Sequence, residues 1–274
     1  MKALRGCLTA ATALVLFLGL QMLIVCIMIY GAIVGFGADY AVVTQEYVWN
    51  KIVEMISMPA TLLSDLGFVA ILLAVAVLLD KDKDPRRYLA LNKMSLYTVP
   101  TMIAFGITAS VLIGVVWQLL PFPQSMWDYY NSLVTPLAVN DPLTVVTAVV
   151  IVPIAEELLC RSVLIREFRR FMHPVLAVFV SAALFGIIHG NVIQGTYAFA
   201  CGVLMGFIYL RYRSVVASIL FHAGFNASNY VTALIPEEAP ILYALIMYAL
   251  LGCAILLGFC AFFFNGKRAK ENVI

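Results

Sequence analysis

Three groups of residues in this chain could do chemistry together. They are Glu156-Glu157 with Arg161, His189 with Phe185 four residues before it, and His222 with Asn226 four residues after it. Each stands in an apolar run. The glutamates follow Leu143 to Ile154, His189 closes Ala182 to Ile188, and His222 lies within Ser218 to Phe225. Ionisable side chains at membrane depth are costly and mark functional sites by default. Glu157 and Arg161 are four apart, so they share a helix face and can pair. Glu156 is turned about 100° from Glu157 by the 3.6-residue repeat. Arg161 can therefore neutralise one carboxylate and leave Glu156 to face a cavity. The competing reading is a structural ion pair with a snorkelling second glutamate. For each histidine alone it is a helix–helix hydrogen bond. The third histidine, His173, precedes Pro174 at a turn and reads as structural.

The helices that must carry these groups can be placed from the pattern. If the helix bearing Glu156 continues through Arg170 and turns near Met172, Glu156 lies 16 residues before the turn and His189 lies 17 after it. In an antiparallel hairpin the two are level, about 24–26 Å from the turn at 1.5 Å per residue. A carboxylate and an imidazole so placed suit the activation of water. His222 and Asn226 share one face of a separate helix, where they could donate to an oxyanion.

The surroundings of these groups are lipid. Of 274 residues 64% are hydrophobic and 12% charged, with a mean hydropathy of +1.00. A soluble domain of this size cannot hide so much apolar surface. The net charge of +2 suggests no nucleic-acid partner. The chain reads as an all-α polytopic membrane protein, one domain over 1–274, with about eight transmembrane helices in one bundle. The expected spans are 8–36, 53–79, 96–120, 142–164, 174–191, 196–211, 215–234 and 241–264, the fifth and sixth being short. Lys2 and Arg5 precede an apolar stretch from Leu8 to Phe36. It is too long for a signal sequence, so a retained first helix is expected. Nearly every Lys and Arg falls in the N-terminus, 81–93, 166–170, 211–213 and 267–270. The segments 37–52, 121–141 and 235–240 hold Lys51 alone. This positive-inside pattern puts both termini in the cytoplasm, in what reads as a prokaryotic plasma membrane. Cys7, Cys26, Cys160, Cys201, Cys253 and Cys260 show no CxxC spacing and read as small buried apolar residues.

With the motifs in this order, the chain resembles the CPBP family of CAAX-processing and bacteriocin-processing (Abi) membrane proteases. The family pattern is EExxxR, then FxxxH, then HxxxN or HxxxD. It reads here as Glu156-Glu157 with Arg161, Phe185 with His189, and His222 with Asn226. Phe199, Gly202, Gly206 and Tyr209 match the small-residue helix between the last two motifs. The resemblance covers about 140–230, a catalytic core within the membrane domain. It implies an intramembrane endopeptidase. Glu156 would be the base, His189 would position the water, and His222 and Asn226 would stabilise the oxyanion. Glu157, Arg161 and Phe185 would support them. The family is commonly labelled metalloprotease. Glu156, His189 and His222 could make a three-ligand Zn²⁺ site with an open position. Alternatively, glutamate and histidine activate water with no metal. A ligating glutamate cannot also be the free base. The substrate would be a prenylated CAAX-like tail, a leader peptide, or a pheromone or bacteriocin precursor, met at the bilayer as a peptide or lipidated protein. Two other readings stay open: a non-catalytic bacteriocin-immunity or scaffold protein, and a proton-coupled transporter. No inverted repeat supports the transporter.

Overall fold

The computed structural model of the protein describes residues 1–36, 45–79, 84–134, 141–232 and 246. It is all-helical among them. The helices are α1 (Lys2–Phe36), α2 (Gln45–Leu79), α3 (Pro85–Tyr88), α4 (Thr98–Gln118), α5 (Gln124–Val134), α6 (Pro142–Phe168), α7 (Pro174–Ile188), α8 (Val192–Tyr212) and α9 (Val215–Thr232).

The first seven expected spans each coincide with a helix, and the eighth, 241–264, lies outside the described residues. Five helices are long and apolar enough to cross a bilayer: α1, α2, α4, α6 and α8. Among the described residues these criteria thus give five of the about eight expected. α7 has 15 residues, about 22 Å of helix at 1.5 Å per residue, against a hydrocarbon core of about 30 Å. α9 is 18 residues long but is diluted by Ser218, His222, Asn226, Ser228 and Asn229. Two helices are additional. α3 is a single turn, and α5 occupies most of the segment 121–141 that read as a loop.

α1 pairs antiparallel with α2, with the Phe17 and Phe68 rings edge to face at 4.9 Å. α1 turns Leu4, Val15, Met22, Ile27 and Tyr30 outward. Such a surface is stable only against lipid. Cys160 and Cys201 are buried as expected, whereas Cys7 and Cys26 are exposed on α1. The core is filled around α6, whose residues Leu158 to Ile165 are all buried. The α6–α7 hairpin is registered by Ser181 Oγ, which donates to Cys160 O at 3.0 Å.

One end of the bundle gathers the basic segments. Arg166 donates to Tyr88 O at 2.6 Å with its guanidinium 3.8 Å from the Tyr88 ring centre. Glu167 pairs with Arg166 and Arg170 at 3.2 and 2.7 Å. Asn92 donates to Arg213 O. At the opposite end Trp117 Nε1 donates to the Thr196 hydroxyl at 2.9 Å, joining α4 to the start of α8. Asp141 caps α6 there. The Thr144 hydroxyl and the Thr144 and Leu143 amides donate to its carboxylate, holding it below the usual carboxylate range.

α4 and α9 touch backbone to backbone. A Cβ on Gly106 would lie 1.9 Å from Phe221 O, and one on Gly224 would lie 2.1 Å from Ile103 O. Neither carbonyl can rotate away from its own helix. Gly106→Ala and Gly224→Ala should therefore force the helices apart and cost about 1–3 kcal/mol each. Gly114→Ala, whose Cβ meets nothing within 4 Å, should be neutral or slightly stabilising. Thermal unfolding in detergent checks the ranking, and equal midpoints for all three variants would contradict this packing.

Candidate active site

α6 is irregular where it carries the two glutamates. Wider π-helical turns, Thr147–Ile151 and Leu158–Ile165, flank a regular segment Val152–Glu157. Pro153 explains the first. It lacks an N–H and its ring crowds the carbonyl four residues back, so the ladder shifts register. The Val152 amide reaches Thr147 O, five residues back. The next donor in that register would be residue 153, a proline, and the carbonyl it would serve is Ala148. Asn226 Nδ2 donates to Ala148 O at 2.8 Å. A side chain of α9 thus fills the rung that Pro153 leaves empty. π-Turns of this kind often mark functional sites.

One turn on, Glu157 is completely buried and Arg161 is 1% exposed. Arg161 Nη1 stands 2.8 Å from Glu157 Oε1, as the spacing predicted. Arg161 Nη2 donates to Gly202 O of α8 at 3.1 Å, and the guanidinium lies 5.4 Å from the centre of the Phe185 ring. Glu157 has a second partner that the sequence did not suggest. His222 Nδ1 lies 3.1 Å from the same Oε1. A carboxylate only accepts, so His222 donates from Nδ1 and turns Nε2 the other way. Nε2 lies 3.7 Å from Glu156 Oε2. His222 therefore stands between the two glutamates.

Glu156 faces a cavity of about 200 Å³ with Phe185, His189, His222 and Asn226 also on its walls. His189 closes α7, and Gly190 (φ +72°) ends the helix in the left-handed conformation that glycine tolerates. His189 Nδ1 lies 2.7 Å from Phe185 O. A carbonyl only accepts, so Nδ1 carries the proton and, in the neutral ring, Nε2 is left as an acceptor. Phe185 packs edge to face on His189 and on His222, with centroid distances of 4.8 and 6.0 Å. All seven residues singled out in the sequence meet around this cavity or one layer behind it. His173 instead caps α7, accepting from the Val175 amide at 3.3 Å.

Sequence reading missed several wall residues, including Gln194, Tyr197 and Asn229. They carry no motif and are polar in a way common at helix ends. It also missed Asp65 of α2, which is 1% exposed and accepts from Gln21 Nε2 at 3.4 Å. The signal was present, since Asp65 is a carboxylate inside the apolar run 53–79. As for a metal, among the described residues no group of three or more His, Cys, Asp or Glu side chains is arranged to hold one. The three donors considered from the sequence are not gathered as a ligand set among the described residues, and no step below is routed through a metal.

Residues 138–228 match the family model described as Rce1-like, type II CAAX prenyl endopeptidase. This segment is similar to that family, and the match covers about a third of the chain. The Rce1-like family is one of proteases, and its match spans α6 to α9, the four helices that build the cavity. No curated protein and no solved structure matches the chain.

The Glu157 carboxylate is the support of the Rce1-like segment. Glu157→Gln should cost about 3–5 kcal/mol, because it leaves Arg161 buried without a counter-charge. Asn226→Ala should cost about 1–3 kcal/mol by orphaning the Ala148 carbonyl. Membrane abundance and detergent melting curves read both. A Glu157→Gln variant as stable as the parent would show that Arg161 is satisfied by other means.

Proposed function

We propose that the chain is an intramembrane endopeptidase in which Glu156 is the general base. The observation that carries this is the environment of the two adjacent glutamates. Glu157 is occupied by Arg161 and His222, while Glu156, with a side chain 14% exposed, faces the cavity shared with His189. Water would sit between Glu156 and the acceptor Nε2 of His189. Glu156 takes a proton from it, and the water oxygen attacks the carbonyl carbon of the peptide. The oxyanion is met by His222 Nε2–H, in the imidazolium form, and by the second N–H of the Asn226 amide. The proton on Glu156 then passes to the leaving amine as the C–N bond breaks. Asn226 has two donors, so its bond to Ala148 O is compatible with this role.

The substrate is a peptide or lipidated protein at the bilayer, of the prenylated-tail, leader-peptide or bacteriocin-precursor kind. The basic end of the bundle faces the cytoplasm with both termini, and the α5 end faces outward. With the six native cysteines replaced by alanine, Ser132→Cys on α5 should then react with an impermeant thiol reagent from the outside only. Labelling from the cytoplasmic side alone would invert this topology.

The direct test is turnover by the purified chain on lipidated and leader-type peptides, with and without chelator. Glu156→Gln should abolish cleavage while abundance stays normal, because the amide is nearly isosteric but cannot take a proton. His189→Ala should be nearly as severe. Asn226→Ala should lose on the order of 10²–10³ in rate, the usual cost of one oxyanion donor. Near-normal turnover by Glu156→Gln would remove the general-base role.

A further inference from the structure

One wall of the catalytic cavity belongs to α8. Gln194, Tyr197, Ala198 and Cys201 line it, at the i, i+3, i+4, i+7 spacing of a single helix face. The carboxamide and the phenol of that stripe have no part in the steps above. Tyr197 and Asn229 also line a second cavity of about 560 Å³ at the α5 end of the bundle, with Trp117, Trp127 and Tyr130 on its walls. Tyr130 of α5 packs edge to face on Tyr197 at 6.3 Å. Gln194 lies one turn from Tyr197, in the catalytic cavity itself. Its backbone is held close against α7. A Cβ on Gly195 would lie 2.8 Å from Gly186 O, and one on Gly186 would lie 2.5 Å from Gly195 O.

Hydrogen bonds fix which way the Gln194 carboxamide is turned. The Gln194 backbone N–H donates to Asn191 Oδ1 at 2.7 Å. A backbone amide only donates, so this contact decides which branch of the Asn191 side chain is oxygen. Asn191 Nδ2 then has two hydrogens to place. One goes to His189 O at 3.3 Å and the other to Gln194 Oε1 at 2.9 Å. Gln194 thus accepts through Oε1, and the branch left for the cavity is Nε2 with its two N–H groups. In an ordinary capping box the glutamine at this position turns back to the backbone N–H of the cap residue. Here the Asn191 side chain holds it instead, and the same asparagine ties it to the residue that carries the His189 ring.

A peptide in this cavity brings more than its scissile carbonyl. The units on either side carry carbonyl oxygens that lose water on entry, and each then needs a donor. We propose that Gln194 is a substrate-binding residue, donating from Nε2 to the main-chain carbonyl oxygen of the peptide unit next to the scissile bond, and that Asn191 is the positioning residue that keeps this donor turned inward. The proposal deepens the peptidase reading and rests on it for its purpose. A main-chain carbonyl is common to every substrate of that class, so the contact grips the chain whatever its side chains and whatever its end.

The test uses the full-length chain in nanodiscs. The probe is a fluorophore-labelled peptide ending in an S-prenylated cysteine and three further residues with a free C-terminus. Turnover is read on the parent chain, and binding is read by anisotropy on Glu156→Gln, which holds the probe uncut. Gln194→Ala should weaken binding and raise KM about three- to tenfold, the worth of one neutral hydrogen bond, with kcat little changed. Asn191→Asp should do the same with an unchanged melting midpoint. Aspartate still caps α8 through the Gln194 N–H but has no N–H for Oε1, so Gln194 turns its donor to the aspartate and its acceptor to the cavity. Two further probes carry an ester in place of the amide just before or just after the scissile bond, which weakens that carbonyl as an acceptor. At one of the two positions the ester should cost Glu156→Gln about threefold more than it costs Glu156→Gln with Gln194→Ala. Should Gln194→Ala fail to fold, the same comparison is made with Asn191→Asp. Unchanged binding in Gln194→Ala, or esters that cost both chains equally at both positions, overturns the proposal, and cleavage by the parent then leaves the peptidase reading in place. Weakened binding in Gln194→Ala with no cleavage by the parent upholds the contact and removes the peptidase reading. A Glu156→Gln chain that does not bind the probe overturns both.

Discussion

The carboxylate of Glu157 holds this structure together. Helices in a bilayer gain nothing from hiding apolar surface, because lipid is as apolar as leucine, so close packing and polar contacts must associate them. Glu157 is buried on α6 and shared by Arg161 of the same helix and His222 of α9. Arg161 carries the link onward to Gly202 O of α8 and to the ring of Phe185 on α7. One cluster thus ties four helices. It also makes demands of its neighbours. Gly202 leaves little room for a side chain, since a Cβ there would sit 3.1 Å from Ala182 and 3.2 Å from Phe185. A guanidinium and a carboxylate kept from water are tolerable only when each is paired, which is why so much of the cavity wall is committed to satisfying a residue that does not face it.

Pro153 sets the second constraint. Its missing N–H opens the ladder of α6 just before the glutamates, and Asn226 closes the gap from α9. His222 and Asn226 lie one turn apart on α9. One grips Glu157, and the other grips the backbone five residues before Pro153. The segment from Ala148 to Glu157 is therefore clamped at both ends by a single helix face. Glu156 lies inside the clamp with its backbone fixed and its side chain directed to the cavity. A helix defect is what makes the position rigid.

The parts legible in the sequence were those governed by spacing along one helix or across one hairpin. The i, i+4 repeat gave Glu157–Arg161. Counting from the turn brought Glu156 and His189 near one level, while Ser181 on Cys160 O sets Phe185 opposite Glu156 and His189 one turn further on. What could not be read depended on backbone defects or on partners distant in sequence. Nothing in the string Pro153 to Glu157 announces a π-turn, so Asn226 read as an oxyanion donor alone and its bond to Ala148 was invisible. His222 pairs with Glu157 from 65 residues away. α5 was lost because Gln124, Ser125, Asp128 and Asn131 break up its apolar residues and Pro121 and Pro123 precede it. Its aromatic face makes sense only once α8 is beside it. Asp65 was overlooked for a different reason, since no second polar group stands beside it in sequence. Gln21 reaches it from α1.

Charge along the chain serves two ends of the molecule at once. Lys and Arg are gathered where α3, the α6–α7 turn and the α8–α9 turn meet, and there they are held by Glu167, by the Tyr88 ring and by backbone carbonyls. Their removal from the opposite end is the other half of the same distribution, and it leaves Trp, Tyr, Gln and Asn to line the approach to Glu156. In a bilayer such a polar but uncharged passage matters for the reagent as well as the substrate. Water reaches a buried carboxylate only along groups that can hydrogen-bond it, and the carboxamides at the mouth, Tyr197 in the shared wall and His189 inside provide such groups in sequence. A charged passage would hold water more strongly but would also fix counter-ions beside Glu156. Neutral hydrogen-bonding walls avoid that, and the uneven distribution of Lys and Arg along the chain is what makes them available.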